Sequence, residues 1–175
     1  MRAAVAVVCF FGGTAIAAPD KHDDQRYDGP RISMSVPRGA RVTEVSDVAA
    51  EAALEVVPPA SGSLAGMRFH VLLSNAHTTD GDVEAQGTVW RDKRIRNRAS
   101  WGVPATGVRR VEQTRIGALR AVRFVDEVQS ALGGRQIMLC AALSAHLTCV
   151  VGSAPADSTA LEPALEHILG TAKRP

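Results

Sequence analysis

Residues 135–151 read RQIMLCAALSAHLTCVV, and the way this stretch pairs decides the architecture. Two apolar runs flank Ser144-Ala145, as in an antiparallel hairpin. Positions 140 and 149 sum to an odd number, so any loop with an even residue count leaves Cys140 opposite Cys149. A two-residue loop at Ser144-Ala145 makes Leu143–His146 the closing pair and places the cysteines on a non-hydrogen-bonded pair, with Cα atoms ~4.5 Å apart. Ser-Ala is a poor type I′ turn, and a four-residue loop would still hold the cysteines opposite at ~5.5 Å. Both spacings admit a disulfide. A redox pair would more often show C-x-x-C spacing, and zinc would need ligands beyond His146. We read a structural crosslink, which by a chain-entropy argument stabilises by about 2–3 kcal/mol.

The same register sorts side chains by face. Ile137, Leu139 and Val150 point one way; Met138, Leu147 and Val151 point the other, with the cysteines. Both faces are apolar, so both need cover. The expected fold class is α/β in the α+β sense, a central antiparallel sheet flanked by helices in a single domain.

Outward from the hairpin, GALRAVRFVDEV (117–128) precedes it as a strand, and a helix closes the chain. Thr159-x-x-Glu162 predicts a capping box for that helix, with Leu161, Leu165, Ile168 and Leu169 as its apolar stripe. Earlier, Ile32, Met34 and Val36 alternate with Ser33 and Ser35 as a short strand between Pro30 and Pro37. A further strand ends at Val57, and MRFHVLLSN (67–75) is another. Residues 80–99 predict a helix capped by Asp80 or Asp82, weakened by Gly87 and a thin apolar stripe.

The C-terminal third, TRIGALRAVRFVDEVQSALGGRQIMLCAALSAHLTCVVGSAPADSTALEPALEHILGTAK (114–173), resembles the PsbP-like superfamily. The matching features are an Ile-Gly-x-Leu-x-Ala segment leading a strand, two long hairpin strands and a short closing helix. PRISMSVPRGARV (30–42) is similar to that superfamily's first strand and Pro/Gly turn, while Gly117-Ala118 departs from its usual Gly-Gly. The resemblance implies a PsbP-like sandwich over residues 30–175. It implies no shared catalytic site, since members mostly act as binding or accessory proteins and some immunity proteins look similar in fold.

The chain opens MRAAVAVVCFFGGTAIAAPD. One early charge, a short apolar run and Ala15-Ile16-Ala17 predict a Sec-type signal peptide over residues 1–17, cleaved after Ala17. Polar residues 18–29 are expected to form a disordered leader. No later segment approaches the ~18 apolar residues of a spanning helix, so the expected location is periplasmic or secreted, where disulfides persist.

Charge is segregated along the chain. Residues 91–123 hold ten basic and two acidic side chains, a net of +8, whereas the rest of the chain after Ala17 nets −7. Within WRDKRIRNRASW (90–101), Arg91, Lys93, Arg94, Arg96 and Arg98 lie between the only tryptophans, Trp90 and Trp101. On a helix, Arg91, Arg94 and Arg98 share a face. Together with Arg109, Arg110 and Arg115, this region is the candidate surface for an acidic protein or an anionic envelope partner. The competing reading is a solvated face with its tryptophans in the core. The near-neutral total argues against nucleic acid.

Nothing in the sequence marks a catalytic, cofactor or metal site. There is no G-x-S-x-G elbow and no phosphate-binding glycine loop, and Gly133-Gly134 reads as a turn. His77, Asp80 and Asp82 lack a recognised metal spacing. The expected role is therefore a non-enzymatic binding or accessory protein. The alternatives are an immunity-type inhibitor of a toxic effector, a hydrolase using His77 and nearby carboxylates, and a carrier of a small apolar ligand between sheet and helix.

Overall fold

The computed structural model describes residues 24–100, 110–128 and 134–175. Strands β1 (Asp24–Asp28) and β2 (Ser33–Pro37) form a small hairpin, followed by β3 (Arg41–Val45), β4 (Ala52–Val57) and β5 (Phe69–His77). Helix α1 (Val83–Ser100) leads to β6 (Arg110–Ile116), β7 (Leu119–Val128), β8 (Gly134–Leu143) and β9 (His146–Ala154), and α2 (Leu161–Thr171) follows. The seven strands from β3 onward make one antiparallel sheet, ordered β3-β4-β5-β9-β8-β7-β6.

The hairpin at the centre of the sheet has the two-residue register. Leu143 pairs with His146 and Cys140 with Cys149, and the cysteines are bonded with Cα atoms 4.1 Å apart. Ser144 and Ala145 both adopt positive φ, 49° and 58°. That is the backbone of a type I′ turn, imposed on two residues that do not favour it. The pairing along nine positions of β8 and β9 holds them there.

Each face of this sheet has its own core. One buries Ile137, Leu139 and Val150 against Leu161, Leu165, Ile168 and Leu169 of α2 and against Ile32, Met34 and Val36 of the small hairpin. The other buries Met138, Leu147, Val151 and the disulfide against Val83 and Trp90 of α1. Gly87 explains how α1 settles on that face. A Cβ there would stand 2.8 Å from the Phe124 ring and 3.3 Å from Cys140 Sγ, so the missing side chain is what admits the sheet. On the other side, a Cβ at Gly152 would meet Leu161 at 2.7 Å and Phe69 at 2.9 Å. Side chains already fill the space between the sheet and α2 at that point.

Two local expectations are corrected. Residues 24–28, read as the end of a disordered leader, form β1 and pair with β2 across five positions. The strand is polar because it relies on backbone bonds and a side-chain clip: Gln25 Nε2 donates to the Ala40 carbonyl at 2.8 Å and Gln25 Oε1 accepts from the Gly39 amide at 3.1 Å. The capping box of α2 is absent: Ala160 is the N-cap without a side-chain bond, and the Glu162 carboxylate is taken by Arg123. Residues 1–23 lie outside the described residues, and with them the signal peptide and the rest of the leader. So does the Gly133 half of the proposed Gly-Gly turn.

Candidate functional site

Helix α1 forms where the sequence predicts it. The Asp82 carbonyl accepts the first intrahelical bond, from the Gln86 amide at 3.0 Å. The Asp82 carboxylate instead bonds the Thr79 amide at 3.2 Å and the Thr79 hydroxyl at 2.6 Å, and these bonds hold it below the usual carboxylate range. The thin apolar stripe has a physical reason: much of the inward face of α1 is arginine.

Arg91 is 4% exposed and lies against β7. Its Nε donates to both Asp126 oxygens at 2.9 Å, a second guanidinium nitrogen also binds Asp126, and Cζ sits 5.9 Å from the Phe124 ring centroid. Three residues on, Arg94 pairs with Asp47 in the loop between β3 and β4. Trp90 is buried in the same core. Arg91 and Arg94 do share a helix face, but it is the face turned to the protein. The expectation that Trp90, Arg91 and Arg94 present a partner-binding surface is therefore corrected. Those guanidiniums need carboxylates because an unpaired charge cannot be buried at that depth without large cost.

Arg123 on β7 is consumed similarly. It donates to Glu112 on β6, through Nε at 3.0 Å, and it reaches Glu162 in the first turn of α2. The bond to Arg123 and its positive charge hold the Glu112 carboxyl below the ordinary carboxylate range. Three arginines of the +8 segment are thus neutralised by Asp47, Asp126 and Glu162, all from the acidic remainder of the chain.

What stays outside is smaller and differently placed. Lys93 and Arg96 are exposed on α1, and Arg110, Arg115 and Arg120 are exposed on β6 and β7. None of the five forms an ion pair among the described residues. The Arg98 side chain, Trp101 and Arg109 lie outside the described residues. Arg120 was not legible as a site residue, although a two-residue turn at Gly117-Ala118 would have exposed it. That turn pairs Ile116 with Leu119, which sets Arg115 directly opposite Arg120. Both lie on the α1 side of the sheet with Val122 and Phe124, beside Gln113, whose amide donates to Glu84 of α1 at 2.6 Å. Like charges directly opposite one another repel, which is a local cost to the β6–β7 pairing.

His77 ends β5, and Asp80 and Asp82 follow it, all three exposed. Among the described residues, no three His, Cys, Asp or Glu side chains converge in a way that could hold a metal ion. No helix among the described residues is long and apolar enough to cross a membrane.

Solved structures align with this architecture. A solution structure of cyanobacterial PsbP (CyanoP) from Synechocystis sp. PCC 6803 superposes over 97% of this chain and 98% of its own, with a TM-score of 0.57 at 12% identity. The fold is PsbP-like. A crystal structure from Bacteroides thetaiotaomicron VPI-5482 covers 86% of this chain with a TM-score of 0.59 at 11% identity. This chain spans 48% of the length of that one. No family model matches the chain, and no curated protein matches it. At these identities the likeness is one of fold, and fold alone assigns no activity.

Proposed function

We propose that this is an exported, non-enzymatic binding or accessory protein that engages an anionic partner through the exposed cations on the α1 side of its sheet. The observation that carries this reading is the split within the +8 segment. Arg91, Arg94 and Arg123 are spent on internal ion pairs, whereas Lys93, Arg96, Arg115 and Arg120 face solvent with no ion pair among the described residues. The crosslinked Cys140–Cys149 pair suits an oxidising compartment. Carboxylates or phosphates on a protein or envelope surface are the groups that such a constellation recognises.

The test is a quadruple charge reversal, Lys93→Glu, Arg96→Glu, Arg115→Glu and Arg120→Glu. These side chains are exposed, so the variant keeps its melting temperature. Retention on phosphatidylglycerol vesicles, and on an envelope fraction, is compared with wild type at increasing salt. The expected result is salt-sensitive retention that the reversal abolishes, with none on phosphatidylcholine vesicles. Retention unchanged by reversal, or indifferent to salt, rejects the surface.

A further inference from the structure

On the far side of the sheet from the outer face of α1 is a site that the basic-surface reading does not use. The turn joining β1 to β2 and the strands β3 and β4 enclose a cleft of about 470 Å³. We propose that this cleft binds a small zwitterion with an apolar body, of the class of a free dipeptide with aliphatic side chains.

The cleft is built from register. Ala52 of β4 pairs with Leu73 of β5, and Glu44 of β3 pairs with Leu54 of β4, so Ala52, Leu54 and Leu73 make an apolar floor. Tyr27 and Ile32 of the small hairpin add an apolar wall. The charged groups stand at the rim: Arg31 from the turn, Glu44 from β3 and Glu51 from the loop before β4. All three are exposed.

These charges do not cancel one another. Neither Arg31 nor Glu44 forms an ion pair among the described residues, although both line the same cleft. Glu51 spends one oxygen on the Asn75 amide at 2.8 Å. Near Arg31 lies Arg174, whose guanidinium donates to the Ser74 carbonyl at 2.6 Å. Burial, and then the positive charge of Arg31, push Arg174 down from its usual range, while the negative charge of Glu51 acts in the opposite direction. The cleft therefore carries a positive group, two carboxylates and an apolar floor, and the unlike charges are too far apart to satisfy each other directly.

A ligand that satisfies all three features has a carboxylate for the Arg31 fork, an ammonium for Glu44 and Glu51, and an aliphatic body for Leu54 and Leu73. A fatty acid would leave both glutamates facing an uncharged tail. An apolar amine would bring its charge to the carboxylates and leave Arg31 without a counter-ion. The volume falls in the lower part of the ~300–1,000 Å³ range of small-molecule sites, which suits a dipeptide.

Backbone amide chemical shifts of Arg31, Ile32 and Leu54 are followed while leucyl-leucine, its N-acetyl form, its C-terminal amide, hexanoate and hexylamine are titrated in turn. Saturable shifts are expected with leucyl-leucine, with affinity about tenfold lower for either capped form. The Arg31→Gln protein should no longer distinguish leucyl-leucine from its amide. The Glu44→Gln/Glu51→Gln protein should no longer distinguish it from the N-acetyl form. All three substitutions fall on exposed side chains, so unchanged melting temperatures accompany them. No saturable shift, equal affinity for hexanoate or hexylamine, or discrimination that survives the substitutions would each overturn the proposal. Vesicle retention through Lys93, Arg96, Arg115 and Arg120 is unaffected by any of these results, so the two readings fail separately.

Discussion

Arg91 on α1 and Asp126 on β7 meet as a multidentate ion pair, with side chains only 5% and 2% exposed. The pair locks the helix to the sheet from positions 35 residues apart. Removing one partner strands the other charge in the core. The Asp126→Asn protein is expected to lose about 3–5 kcal/mol in urea denaturation, whereas Arg91→Leu with Asp126→Leu loses far less. A loss under 1 kcal/mol in the single variant would show that Arg91 escapes to solvent. The same pair makes Arg91→Glu a folding variant, unsuited to testing a partner surface.

The Cys140–Cys149 bond joins adjacent strands across a sequence separation of 9 and lies buried under α1. Replacing both cysteines by serine should cost at least the chain-entropy contribution of about 2–3 kcal/mol. Thiol titration in denaturant of the exported chain, processed after Ala17, should count no free thiol before reduction and two after it. Two before reduction would mean that the crosslink does not form.

Gly87→Ala separates two opposed effects. Helix propensity favours alanine by about 1 kcal/mol, but the added Cβ would stand 2.8 Å from the buried Phe124 ring. Overpacking of this kind costs about 1–3 kcal/mol, so net destabilisation is expected, read as a lower melting temperature. A stabilised variant would mean that α1 can lift from the sheet.

Acid sensitivity should track Glu112 and Asp82, both held below the usual carboxylate range, by Arg123 and by Thr79 respectively. A carboxyl depressed in the folded state stabilises above its unfolded value, and that contribution is lost as pH falls through the folded value. Stability should therefore decline below the ordinary carboxylate range, and the decline should be shallower in Glu112→Gln and in Asp82→Asn. Superimposable pH–melting curves for wild type and both variants would contradict the linkage.

Much of the fold was legible because period-two alternation marks half-buried strands and continuous apolar runs mark strands covered on both faces, as in β8 and β9. β2, β4, β5, β7, β8 and β9 each carry apolar residues at the required spacing. The strands that escaped reading are β1, on the small hairpin, and β3 and β6, at the two edges of the large sheet. Arg41, Glu44, Arg110 and Arg115 sit on those outer strands, and edge positions tolerate charge because it discourages pairing with another chain. The same charges blur the alternation that would have revealed them. The capping box misled because Thr159 and Glu162 satisfy its pattern locally, while Arg123 competes for Glu162 from 39 residues away.

Local chemistry in the chain was enough to determine the pairing of Cys140 with Cys149 and the apolarity of both hairpin faces. Both follow from parity and from the two-fold alternation of a strand, which involve neighbours only. Which arginines face inward was decided by the tertiary structure. Arg91, Arg94 and Arg123 look the same in sequence as Lys93, Arg96 and Arg120, each a cation in a basic run. They differ because packing brings Asp126, Asp47 and Glu162 within reach of the first three, and burial makes the contacts of Arg91 and Arg94 obligatory. A charge takes its role from the dielectric around it and the counter-ion beside it, and both exist only once the chain is folded.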